Sequence, residues 1–108
     1  MLTSYTGVLT SPNYPNIYPN NLDCQWIIRV AAVRNIRLTF TNFDVQIYDY
    51  VEVYDGPIVS PGRLLMNHTG STAPSADVIS SSYEMLVRFV TEGTGNAFSG
   101  WRTTYTTS

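Results

Sequence analysis

The chain contains no lysine, a single cysteine and a single histidine, and only 13% of its residues are charged. One cysteine cannot form an internal disulfide. By itself a lone thiol suits a reducing compartment, or a partner thiol outside this sequence. The six basic residues are all arginine (Arg29, Arg34, Arg37, Arg63, Arg88 and Arg102). They are scattered, and the formal net charge is -2. That balance argues against a nucleic-acid surface. No apolar run is long enough to span a bilayer, so membrane insertion is not expected. Residues 1–15 lack a basic start followed by an apolar run and do not read as a signal peptide. The sequence has no Gly-rich phosphate loop and no His/Cys zinc spacing. The only histidine, His68, reads as a solvated loop residue, so no nucleophile–base pair is in sight and an enzyme is not expected. No segment has a convincing amphipathic helical period, and no internal repeat occurs.

What is present points to strands. The 108 residues suit one domain with one core, spanning 1–108. They are 44% hydrophobic and 13% aromatic, with eight tyrosines. Thr, Ser, Val, Tyr and Ile dominate, which favours β-structure. Residues 7–10 read as a short strand and 23–30 as a second, with Cys24 and Trp26 on one face and Ile27 on the other. Ile36, Leu38 and Phe40 alternate with polar partners, and residues 41–46 are expected to carry the chain round a corner. Residues 48–54 alternate again, before an emphatic Asp55-Gly56-Pro57 turn. A short strand over 63–66, a polar loop over 68–75, an edge strand over 76–80, a central strand around Met85, Val87 and Phe89, and a last strand carrying Trp101, Thr103 and Tyr105 complete the pattern. Turns are expected over 31–35 and 91–95. Many short strands at this spacing predict an all-β antiparallel sandwich or barrel. Its core is expected to hold Trp26, Phe40, Val51, Val53, Val87, Phe89 and Trp101.

The stretch from Ser11 to Asn21 carries Pro12, Pro15 and Pro19, which exclude both a helix and a central strand. Residues preceding proline are pushed towards extended conformations. The segment reads as a rigid extended clasp anchored by Tyr14 and Tyr18, or simply as a well-made loop.

Gly7-Val8-Leu9-Thr10-Ser11-Pro12-Asn13-Tyr14-Pro15-Asn16-Ile17-Tyr18-Pro19 is followed by Cys24-Gln25-Trp26-Ile27-Ile28. Then come Leu38-Thr39-Phe40-Thr41-Asn42-Phe43-Asp44, Tyr48-Asp49-Tyr50-Val51-Glu52-Val53-Tyr54-Asp55-Gly56, Met85 to Glu92, and Gly100-Trp101. In this order the motifs resemble those of a CUB domain along essentially the whole chain. The resemblance implies an extracellular antiparallel β-sandwich of two sheets, jelly-roll-like, serving as a recognition module and excised from a longer extracellular protein. The sequence departs from the family first in its cysteines. Typical members carry four cysteines in two disulfides, and here only Cys24 remains, its usual partner lying upstream in the family. Losing a native disulfide costs about 2–5 kcal/mol. Apolar residues near Leu65 and a shorter segment between Gln46 and Asp49 are expected to offset part of that. Cys24, in a strand beside Trp26, reads as a buried or half-buried thiol rather than a reactive one.

The resemblance also implies a calcium cage. By position its ligands fall on Gln46, Asp49 and Glu92, with Asp44 as a substitute. Gln46 has lost a charge that the family carries, so a weak site is expected. Asp49 and Glu92 are expected to meet at one edge, where two like charges would repel. In the family the cage orders loops that capture a basic side chain, so the partner is expected to be a protein offering Lys or Arg. Other readings are a carbohydrate-binding module similar to the seminal-plasma adhesins, and a structural or oligomerising domain. Without calcium, recognition would rest on exposed aromatics, with Tyr50 and Tyr54 as candidates. The sequon Asn67-His68-Thr69 makes Asn67 a candidate glycosylation site and points to secretion.

Overall fold

Period-two alternation yields eight strands: β1 (Gly7–Thr10), β2 (Asp23–Arg29), β3 (Ile36–Asp44), β4 (Tyr50–Asp55), β5 (Leu64–His68), β6 (Val78–Ile79), β7 (Glu84–Val90) and β8 (Gly100–Thr107). They come from a computed structural model that describes residues 6–30, 34–93 and 98–107. The turn expected over 31–35 and the loop over 91–95 each fall partly outside those residues. All pairings are antiparallel. They form two four-stranded sheets, β2-β7-β4-β5 and β1-β8-β3-β6. Among the described residues the only helical piece is a 3-10 turn at Pro61–Arg63. The expected all-β antiparallel sandwich is the observed fold.

Register decides which side chains face the core. Trp26 lies opposite Val87 and Cys24 opposite Phe89 on one side of β7, while Val53 and Val51 lie opposite the same two residues on the other. In the second sheet, Leu38 lies opposite Tyr105 and Phe40 opposite Thr103. Phe40, Val51, Val53, Val87, Phe89 and Trp101 are all buried, as the alternation predicts. Trp26 differs. It packs edge-on against Trp101, with ring centroids 5.3 Å apart, but is only half-buried. It sits on β2, an edge strand, where one flank has no neighbouring strand to cover it.

Three local expectations are corrected. The chain does not leave β3 at Thr41. A register shift between Phe40 and Asn42 changes the parity, so Phe43 also turns inward and meets Phe40 at 5.7 Å. The sequon begins in a strand, not in a loop, because β5 runs on through His68. His68 is accordingly half-buried rather than a fully solvated loop residue. Its ring stands edge-on to Phe43 at 4.9 Å, and its Nε2 lies 2.8 Å from the Thr72 carbonyl. The clasp is not extended throughout. Residues 12–15 form turns, with Asn13 at φ 67° and a cis Tyr14–Pro15 bond. Tyr18 is its buried anchor, and Tyr14 is only half-buried.

The clasp joins the core at Ser11. Its amide donates to the Trp101 carbonyl, and its Oγ accepts from the Trp101 amide, both at 3.0 Å. Gly100, at φ +93°, makes room for this exchange, since a Cβ there would overlap Ser11 Oγ. Gly100→Ala therefore meets both an unfavourable φ and a clash. It is expected to destabilise the fold by about 1–3 kcal/mol or more, read from the urea midpoint. Cys24 is half-buried, and burial raises its thiol pKa, with Asp23 adding to the effect. It is expected to react slowly with a disulfide reagent in the native protein and rapidly in urea. Equal rates in the two states would place the thiol at the surface.

Candidate functional site

At one end of the sandwich the clasp, the turn before β4, the segment after β5 and the segment after β7 converge. The turn closes when the Asp49 amide donates to the Gln46 carbonyl at 2.9 Å. Asp49 is only 1% exposed. Its Oδ2 accepts from the Tyr18 hydroxyl at 2.6 Å, and its Oδ1 accepts from the Glu92 amide at 2.8 Å. The Tyr18 oxygen in turn accepts from the Gln46 amide at 3.0 Å. One phenol and one carboxyl group thus tie together three segments far apart in sequence. Burial, and then the bond to Asp49, raise the Tyr18 pKa, so the phenol keeps its proton throughout the physiological range. Tyr18 is held sideways by Phe89, edge-on at 4.9 Å.

Thr69 closes the same end from the other side. Its hydroxyl lies within hydrogen-bonding reach of the Gln46 and Ile47 carbonyls, at 3.0 Å each, and of the Asp49 carbonyl. The Val45 amide donates to Gly70 at 2.9 Å. The segment after β7 is fastened by Thr91, whose amide donates to the Leu22 carbonyl and whose hydroxyl accepts from the Leu22 amide.

The sequence-predicted residues divide under this geometry. Gln46 and Asp49 do come together, through Tyr18. Glu92 is adjacent, but its side chain is exposed, and only its amide meets Asp49. The expected clash of two carboxylates is thereby replaced by an attractive hydrogen bond, because the chain leaving β7 presents its N–H to Asp49. Asp44 has no hydrogen bond to Asp49 among the described residues, although its charge also acts on the Tyr18 phenol. Its Oδ2 accepts from the Ser99 amide and hydroxyl and holds the segment that enters β8. Among the described residues, no cluster of three or more His, Cys, Asp or Glu side chains has metal-holding geometry.

The aromatic pair is also redistributed. Tyr50 is half-buried and Tyr54 only 4% exposed. Tyr54 lies on an internal strand between Leu86 and Leu64, so its neighbours on both sides cover it, and burial raises its pKa. It offers no exposed stacking platform. The exposed apolar side chains at this end are instead Ile47 and Tyr48, each 69% exposed. The sequence reading placed Tyr48 in the strand, but the strand starts at Tyr50, two residues later than the pattern suggests, so Tyr48 joins Ile47 in the turn. The bonds of Tyr18 and Thr69 to this turn left no sequence signal, being contacts across 31 and 20 residues.

Tyr18→Phe removes a buried bond to a carboxyl group and orphans the Gln46 amide. It is expected to cost about 2 kcal/mol in a denaturant titration. A loss near zero would show that the network does not hold this end.

The chain matches the CUB domain family over residues 1–105. It is 44% identical over 108 residues to an astacin-like metalloendopeptidase of Coturnix japonica, a match covering 94% of this chain and 25% of that protein. The chain thus spans a quarter of that peptidase's length, and only 3% of rat cubilin, to which it is 38% identical. Among solved structures it is similar to the CUB1-EGF-CUB2 domain of human MASP-1/3, with a TM-score of 0.86 and 25% identity, covering 97% of this chain and 42% of that one. It is also similar to the MASP-1 CUB2 domain bound to Ca2+, with a TM-score of 0.80 and 27% identity, covering 97% and 95% of the two chains. Motif order, two-sheet topology and these likenesses agree, and the chain belongs to the CUB domain family.

Proposed function

We propose that this module is a non-catalytic extracellular recognition unit that binds a protein partner at the Asp49 end of the sandwich. The observation that carries the reading is the composition of that end. A rigid, buried Asp49 lies beneath an exposed Glu92, and the adjoining Ile47 and Tyr48 stand out into solvent. Exposed apolar side chains beside a carboxylate suit a partner surface that offers a Lys or Arg within an apolar rim.

Calcium would assist this capture. Asp49 accepts one hydrogen bond on each oxygen and keeps further lone pairs, and the Gln46 amide oxygen and the Glu92 carboxylate belong to the same converging segments. Oxygen donors with two carboxylates fit calcium, and the neutral Gln46 makes the fit weak. Asp49, Glu92 and Gln46 are the residues that would hold the ion. When bound, calcium supplies a fixed positive charge between the turn over 46–49 and the segment after β7.

The test is calcium dependence. The melting temperature is expected to rise only at millimolar calcium, with a stabilisation of about 2.7 kcal/mol at a hundredfold excess over Kd. Glu92→Gln, at an exposed side chain, is expected to blunt the rise, and Gln46→Glu to move it to lower calcium. In the same buffers, a lysine methyl ester titration followed by amide NMR is expected to shift Ile47, Tyr48 and Glu92, and to lose that effect in chelator. Equal melting temperatures in calcium and chelator would overturn the calcium part. Absence of shifts at this end in both buffers would overturn the basic-side-chain reading.

A further inference from the structure

Thr69 of the sequon has a structural task, but Asn67 has none. It sits in β5, the last strand of its sheet, on the outward face opposite Glu52, and its side chain is exposed. Glu52 is already engaged by Arg88 at 3.2 Å. Among the described residues, nothing hydrogen-bonds to the Asn67 amide group. Asparagine is among the residues least suited to a strand. The fold therefore gives no reason for an asparagine here, while its two sequon neighbours are both anchored, His68 against Phe43 and Thr69 to the 46–49 turn.

The surroundings of Asn67 give a reason. Among the described residues, the β5 backbone has no strand partner on the side away from β4, where β6 of the other sheet comes near without pairing. Leu64 and Leu65, in the same strand, are 42% and 39% exposed. An open edge with apolar side chains is a template for pairing with another chain, and proteins cover such edges. A bulky hydrated group on Asn67 would cover this one.

We propose that Asn67 carries an N-linked oligosaccharide that shields the free edge of β5. The reading rests on the module being extracellular. In the transfer, the Asn67 amide nitrogen bonds to the anomeric carbon of a lipid-pyrophosphate-linked oligosaccharide. The carbon–oxygen bond to pyrophosphate breaks, the lipid pyrophosphate leaves with the electron pair, and the nitrogen loses one proton. The transferring enzyme reads the third sequon residue, and here the Thr69 hydroxyl is committed to the 46–49 turn in the folded protein. Transfer must therefore precede closure of that turn.

The test is secretion of the chain behind a supplied leader from a eukaryotic cell, followed by intact mass before and after peptide N-glycosidase. One glycan is expected on the wild type, one on Thr69→Ser, and none on Asn67→Gln. Asn67→Gln should fold normally, because the side chain it alters is exposed. A secreted, folded wild type without glycan overturns the site. Because the leader is supplied, that result leaves the extracellular reading standing. For the shielding role, sedimentation should show the glycosylated protein monomeric and Asn67→Gln self-associating at high concentration. An equally monomeric Asn67→Gln would overturn the shield. Self-association of both would likewise overturn it.

Discussion

With one cysteine, the two sheets have no disulfide to hold them face to face, and their alignment rests on rings packed around Trp101. Trp26 and Phe89 reach it from the first sheet, at 5.3 and 5.8 Å, and Phe40 from its own, at 5.9 Å, all edge-to-face. Each such pair contributes about 0.5–1.5 kcal/mol beyond its buried area. Together they are comparable with the roughly 2–5 kcal/mol that one native disulfide supplies. The arrangement has a cost. Among the described residues, Trp101 Nε1 is buried without a hydrogen-bond partner, which typically costs about 1–3 kcal/mol. The main chain compensates, since Ser11 bonds both sides of the Trp101 peptide and Gly100 leaves room for it.

Polar interactions divide sharply by burial. On the outer face of the first sheet, Arg88 grips Asp23 through Nε and Nη2 at 2.9 Å each and reaches Glu52 at 3.2 Å. The Arg88 bond holds the Asp23 carboxyl below the usual range and raises the guanidinium pKa. Asp23 is about half exposed, so water and salt screen the pair and its net contribution is small. The Tyr18–Asp49 bond is buried, and removing either partner strands the other. It is therefore the interaction that shapes the Asp49 end, although both rest on hydrogen bonds of similar length.

The same end is where rigidity and exposure meet. Tyr18 and Thr69 pin the main chain of residues 46–49 from two sides, so Ile47 and Tyr48 stand out from a turn that is already ordered. At the opposite end Asp55 plays a similar structural part, accepting from the Ser81 amide and from the Ser81 and Ser82 hydroxyls beneath the β4–β5 connection.

Strand identity was legible in the residues themselves. Alternation around Val51 and Val53, around Met85, Val87 and Phe89, and around Trp101, Thr103 and Tyr105 assigned those faces correctly, because a period of two is a local property of a pleated chain. The motif order from Gly7 to Trp101 assigned the family for a related reason. Those residues fill fixed positions in one sandwich, and their types can be read without knowing their neighbours. What alternation could not supply was parity after the Phe40/Asn42 bulge, the edge position that leaves Trp26 half-covered, or the internal position that buries Tyr54. Each depends on which strand lies alongside, and pairing is set by the whole sheet. The Asp49 end was decided only in three dimensions. Asp49, Gln46 and Glu92 were picked out in the sequence as ligands, but the partners that hold Asp49 are a phenol 31 residues earlier and a main-chain amide 43 residues later. A hydrogen bond between distant segments leaves no periodicity in the chain, so only the folded backbone could show that Asp49 lies beneath the surface and that Ile47, Tyr48 and Glu92 form it.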